Sequence, residues 1–193
     1  MRRLCLLRHL PTDWNHEKRL QGRTDRPLAP ATAVEMLPYD PAHWRLVSSP
    51  LRRAVETARL LFGAEPEIVT ALTEMDWGTF EGRRLTDLRH ELGDALARNE
   101  AQGLDFRPPG GESPRDVQAR LRDWLVEVAG SARDIIAVSH KGVMRAAHAM
   151  ATGWDMTADA PDRVDYRRPQ VYRLAPDGTL AVETLNAEAE NLR

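Results

Sequence analysis

Apolar residues along the chain fall into two kinds of pattern, and each predicts a different element. Short runs at Arg3 to Leu7, Leu46 to Val47 and Ile135 to Val138 lack polar alternation, as expected of strands buried on both faces of a parallel sheet. Each is followed by a polar turn and then by apolar positions at helical spacing. After Pro50, residues Leu51, Ala54, Val55, Ala58, Leu61 and Phe62 recur every three or four positions and predict one buried helix face. Ser49 is expected at its N-cap and Pro50 at its first helical position. A second helix is predicted from Pro114, with Val117, Leu121, Trp124, Leu125 and Val128 inward and a capping box between Ser113 and Asp116. A third follows Gly142, and Leu85, Leu88, Leu92 and Leu96 predict a further one in the middle of the chain. Near the end, Gln170 to Leu174 and Thr179 to Leu185 flank Pro176-Asp177-Gly178, which reads as a hairpin turn. Strands alternating with helices predict an α/β layered fold with crossover helices, and the absence of repeats or biased linkers predicts one domain over residues 1–193.

Composition narrows this picture. A chain of 193 residues that is 42% hydrophobic can remove roughly 70% of its unfolded surface from water without disulfides or a structural metal. The single Cys5 agrees with a reducing compartment, and a cytoplasmic location is expected. The longest apolar runs, Leu4 to Leu7 and Ile135 to Val138, are four residues long, against the roughly 20 that span a bilayer. Neither a membrane span nor a secretory leader is therefore expected. The formal charge of -2 argues against a nucleic-acid partner.

Candidate chemistry appears where the predicted strands end, which is where open parallel sheets bind ligands. Arg8-His9 follows the first strand, Arg53 lies in the first turn of the helix after Ser48-Ser49, and Ser139-His140-Lys141 follows the most apolar strand. Because 25 of the 27 basic residues are Arg, no single arginine means much; the placement of two arginines and two histidines at strand ends does. Guanidinium groups grip phosphate oxygens and stay charged at any working pH. A neutral imidazole beside them can attack phosphorus, and phosphoryl transfer asks mainly for positioning and charge stabilisation. The six histidines show neither HxxxH nor HxH spacing, so no metal site is expected.

At these residues the chain resembles the histidine phosphatase superfamily, the phosphoglycerate mutase-like fold. Leu7-Arg8-His9 through Thr12 to Asn15 resembles the Arg-His-Gly signature, and Leu20 to Leu28 the segment after it. Ser48-Ser49-Pro50-Leu51-Arg52-Arg53-Ala54-Val55-Glu56-Thr57-Ala58 is similar to the second motif and selects Arg53 over Arg52. Leu72 to Gly82 resembles the acid/base segment, Pro109 to Ser113 a loop entering a helix, and Val138 to Val143 the last motif. The resemblance implies a three-layer α/β sandwich with a mostly parallel central sheet and helices on both faces. It implies a metal-independent phosphomonoesterase without a cofactor, acting on a small phosphorylated substrate through a phosphohistidine. By position, His9 is the nucleophile, Arg8, Arg53 and His140 hold the phosphoryl group, and Glu74 donates the proton to the leaving oxygen. Asn15, Gln21 and Gly22 line the pocket in relatives.

The sequence departs from that pattern in two places. Leu10 and Pro11 replace the usual Gly and Glu or Gln, which predicts a narrower pocket or one fewer amide donor. Lys141 replaces a usual Gly and is one of only two lysines. Two readings stand for it: contact with a second anionic group of the substrate, or an exposed lysine at a helix start. Two alternatives stand beside hydrolysis: a phosphate-binding regulatory relative without turnover, and a mutase. Mutases of this fold carry an extended basic insertion after the acid/base segment, and Arg83 to Arg107 offers no counterpart. Charge is unevenly spread: residues 1 to 59 carry 11 basic and 6 acidic side chains (+5), and residues 60 to 193 carry 16 and 23 (-7). That excess suits a compact pocket for one phosphate. The substrate and the oligomeric state are not readable in the sequence.

Overall fold

The computed structural model describes residues 1–30 and 34–188. Its centre is a six-stranded sheet in the order β3-β2-β4-β1-β5-β6. The strands are β1 (Arg2–Arg8), β2 (Trp44–Ser48), β3 (Glu67–Ile68), β4 (Asp134–Ser139), β5 (Gln170–Leu174) and β6 (Leu180–Thr184). β1, β2, β3 and β4 run parallel, while β5 pairs antiparallel with β1, and β6 with β5. The helices are α1 (Asp13–His16), α2 (Arg52–Phe62), α3 (Leu85–Glu100), α4 (Pro114–Val128) and α5 (Lys141–Thr152).

The two-residue period of the strands sorts their side chains into two cores. Leu4, Leu6, Ile135 and Ala137 pack with Val117, Leu121 and Leu125 of α4 and with Val143, Met144 and Ala147 of α5. Cys5, Leu7, Ile136 and Val138 pack on the opposite face with Ala54, Ala58, Leu61 and Phe62 of α2. This is the expected three-layer arrangement, and the unbroken apolar runs exist because both strand faces are covered. A satellite cluster of Phe80, Leu88 and Leu96 lies under the segment between the acid/base motif and α4. Among the described residues, no helix is long and apolar enough to cross a membrane.

Local signals were obeyed unevenly. Ser113 caps α4 as expected, its hydroxyl accepting from the Asp116 amide while Asp116 accepts from the Ser113 amide at 2.9 Å. The hairpin turn closes through a bond from Ala175 N to Thr179 O, with Gly178 at φ 85°. α2, however, begins at Arg52 with Leu51 in the cap position and no side-chain cap bond, so Ser49 and Pro50 lie outside it. The Ser49 hydroxyl is instead 2.7 Å from His140 Nε2. α5 begins at Lys141, one residue before Gly142. The leucine-spaced helix exists as α3 but is kinked at Gly93 (φ 47°, ψ -126°).

Candidate active site

Register brings the strand-end residues together. Arg8 is paired with Ser139, and Ser48 with Val138, so β1, β4 and β2 end within a residue of one another. The His9 amide donates to Ser139 O at 2.9 Å, and the Ser49 amide to Val138 O at 3.0 Å. His9 and His140 therefore emerge side by side, with ring centroids 5.1 Å apart.

His9 Nδ1 lies 2.7 Å from the Leu10 carbonyl oxygen. A carbonyl only accepts, so Nδ1 carries the proton and Nε2 keeps an unshared pair. Burial, followed by the charges of Arg53 and Arg8, pushes the His9 pKa down to about 3. Its ring is neutral at any ordinary pH. His140 is fully buried and is held well below the usual histidine range by desolvation, then by Arg53. Among the described residues, its Nδ1 has no partner. The Ser49 hydroxyl, which shares a hydrogen bond with His140 Nε2, also accepts from the Leu51 amide at 3.3 Å.

The two arginines are presented differently. Arg8 lines the cavity, and its buried Nε is unpartnered among the described residues. Arg53 is 0% exposed, with one amino group donating to Thr24 O at 3.0 Å and the other to Gly22 O at 2.7 Å. Its buried Nε likewise has no partner among the described residues. Arg52 points to the surface and pairs with Glu56, so the motif's preference for Arg53 matches the one arginine turned inward. Glu81 builds the loop that holds Arg53. It accepts from the Arg23 amide at 2.6 Å and the Thr24 amide at 2.8 Å, and it also binds the Thr24 hydroxyl. A side chain at Gly22 would overlap the Glu81 carboxylate, so this turn requires glycine.

Glu74 is anchored from β4. Ser139 Oγ donates to Leu72 O at 2.8 Å and fixes the start of the acid/base segment. The Glu74 carboxylate accepts from the Met75 amide at 2.8 Å and the Gly142 amide at 3.2 Å. Burial nonetheless raises its pKa, outweighing those bonds and the pull of Arg53 and Arg8. A Cβ at Gly142 would overlap Glu74 Oε1, so that glycine makes room for the carboxylate.

These groups open onto a cavity of about 400 Å³ lined by Arg8, His9, Asn15, Gln21, Glu74 and Lys141, among others. Gln21 offers an unpartnered buried Nε2, its oxygen being 2.9 Å from the Thr12 hydroxyl. Asn15 Oδ1 is committed to the Thr12 amide at 3.0 Å. The Gly22 carbonyl accepts from Arg53. Arg53 and His140 are both fully buried. The Leu10 amide donates to Thr57 Oγ at 2.8 Å, and its carbonyl lies against His9 Nδ1. Sequence reasoning missed the positioning bonds of Ser49, Thr57, Ser139 and Glu81. Only Glu81 carried a visible signal, in the Phe80-Glu81-Gly82 triplet.

The profile of the histidine phosphatase superfamily (branch 1) matches residues 4–186. The chain belongs to that superfamily. It is similar to a 2,3-bisphosphoglycerate-dependent phosphoglycerate mutase of Methylobacterium radiotolerans, 30% identical over 206 positions that cover 95% of each chain. Among solved structures, it resembles the mycobacterial glucosyl-3-phosphoglycerate phosphatase in complex with VO3 (24% identity, TM-score 0.75, 97% of this chain and 100% of that one). It also resembles the α-ribazole phosphatase of Shigella flexneri (22% identity, TM-score 0.73, 96% of both chains). Those two likenesses are likenesses of fold. The superfamily and the mutase relative support an enzyme of the phosphatase or mutase-like kind.

Proposed function

We propose that this chain is a phosphomonoesterase that hydrolyses a small phosphate ester through a phosphohistidine on His9, without a metal. The observation that carries this reading is the state of His9: neutral, with Nδ1–H tied to the Leu10 carbonyl and Nε2 left as a nucleophile at the cavity wall. Nε2 attacks phosphorus as the ester P–O bond breaks. Arg8 meets the phosphoryl oxygens from the wall, while Arg53 and His140 meet them from the buried side. Such fixed donors in a desolvated site are typically worth about 10²–10³-fold each. Glu74, protonated because it is buried, gives its proton to the leaving alkoxide. The resulting carboxylate then takes a proton from water as the water oxygen attacks phosphorus. The P–N bond breaks, inorganic phosphate leaves, and His9 and Glu74 return to their starting states. Gln21 and Asn15 border the substrate.

A mutase reading draws on the relatives of that name. Hydrolysis is favoured by the compact segment from Arg83 to Arg107. The cavity volume favours a small molecule over a protein substrate.

The test is hydrolysis of an aryl phosphate in excess chelator by the native chain and by His9→Ala. Turnover that survives the chelator and falls by on the order of 10⁴-fold or more in the variant is expected. Phosphate binding without turnover by the native chain, over a panel of phosphate esters, would replace this reading with the regulatory one.

A further inference from the structure

The cavity holds two cations that the phosphoryl chemistry does not use. Lys141 and Arg145 are one helical turn apart on α5, and both line the cavity that contains His9 and Arg8. Among the described residues, neither forms a salt bridge, although eighteen such pairs exist and the cavity's other outer arginines, Arg19 and Arg89, are paired with Glu17 and Glu100. Each is steadied by an aromatic ring instead: Lys141 Nζ is 5.7 Å from the Tyr166 ring centroid, and Arg145 Cζ is 5.2 Å from that of Trp154. Rings position a cation without neutralising it. Two like charges on one wall, with no carboxylate between them, raise the potential for an anion arriving from solvent.

We infer that Lys141 and Arg145 form a second anion subsite, so that the substrate is a phosphate ester carrying a further anionic group, a carboxylate or a second phosphate. The inference rests on the reading of His9 and Arg8 as the site of the transferred phosphate. Partial desolvation, then Arg145 and Arg8, hold the Lys141 ammonium below the usual lysine range, with Glu74 acting the other way. An arriving anion relieves that repulsion.

The experiment is calorimetric binding of matched ligands to the native chain and to the double variant Lys141→Met, Arg145→Met. One pair is 3-phosphoglycerate against glycerol 3-phosphate; the other is fructose 1,6-bisphosphate against fructose 6-phosphate. In at least one pair, the native chain is expected to bind the ligand with the extra anion about 10-fold more tightly, the scale of one charge-assisted contact. The double variant reduces that ratio to about 1, and Lys141→Arg with native Arg145 keeps it. Preference in the first pair assigns a carboxylate, and in the second a phosphate. Equal affinities within both native pairs, or a preference that survives the double variant, overturn the subsite. Turnover of the aryl phosphate in chelator is scored separately. Selective binding without turnover retains the subsite and rejects the hydrolase, whereas turnover without selectivity does the reverse.

Discussion

The inner and outer ends of the cavity are built on opposite principles. At the inner end, Arg53, His140, His9 and Glu74 are all buried, and each has a fixed partner among nearby backbone or hydroxyl groups. Desolvation is the largest cause of each shift, lowering the pKa of both imidazoles and raising that of the Glu74 carboxyl. At the outer end, Lys141 and Arg145 keep their charge in contact with solvent and rest on rings. The inner end is suited to one invariant group, the phosphoryl. The outer end is suited to selecting among what carries it.

Three changes sharpen this contrast, from the largest effect to the smallest. Arg53→Ala removes a buried donor that no solvent cation can replace. It should lower kcat/KM by about 10³-fold on every ester, with or without a second anion, in steady-state assays. A loss confined to doubly anionic esters would show that Arg53 belongs functionally to the outer end. Glu74→Gln should cost about 10²-fold on alkyl phosphates, whose leaving group needs a proton, and far less on nitrophenyl phosphate. The raised pKa keeps Glu74 protonated to higher pH than an ordinary carboxyl, and activity falls as pH rises through it. The pH profile of kcat for an alkyl ester should therefore lose its alkaline limb in the Gln variant.

The smallest effect concerns stability. An unfolded His9 takes up a proton as pH drops below 6.5, whereas the folded residue does so only near 3. Between those values the unfolded chain binds more protons, so stability declines as pH falls through that window. Urea midpoints measured at about pH 7 and about pH 5 should differ more for the native chain than for His9→Asn. Equal differences would mean that the burial of His9 does not hold its ring neutral.

The same contrast explains what could be seen in the sequence. The inner end follows from strand ends, and unbroken apolar runs mark strand ends well; Arg8, His9 and His140 were legible for that reason. Arg53 was separated from Arg52 by the family motif alone; the structure turns Arg53 inward and leaves Arg52 at the surface. Ser49 was misassigned because a hydroxyl before a helix has two possible partners, and only the three-dimensional register of β2 against β4 brings His140 within its reach. The bond from Arg53 to the Gly22 carbonyl is made by backbone and leaves no mark in the sequence. The outer end depends on how α5 meets Trp154 and Tyr166, in a stretch without periodicity. Lys141 stood out there as a departure from the family motif and as one of only two lysines, and Arg145 did not stand out at all. The two-residue strand β3 and the four-residue helix α1 are too short to leave a pattern.

The central claim is that the inner end exists to make His9 a nucleophile, and a rapid-quench experiment tests it most directly. With an aryl phosphate labelled in its phosphoryl group, the native chain should show protein-bound label that is lost in acid, survives alkali and maps to the peptide containing His9. It should form at least as fast as turnover and be absent from His9→Ala. Full turnover with no protein-bound phosphate at any quench time, or label on a different residue, would contradict the account.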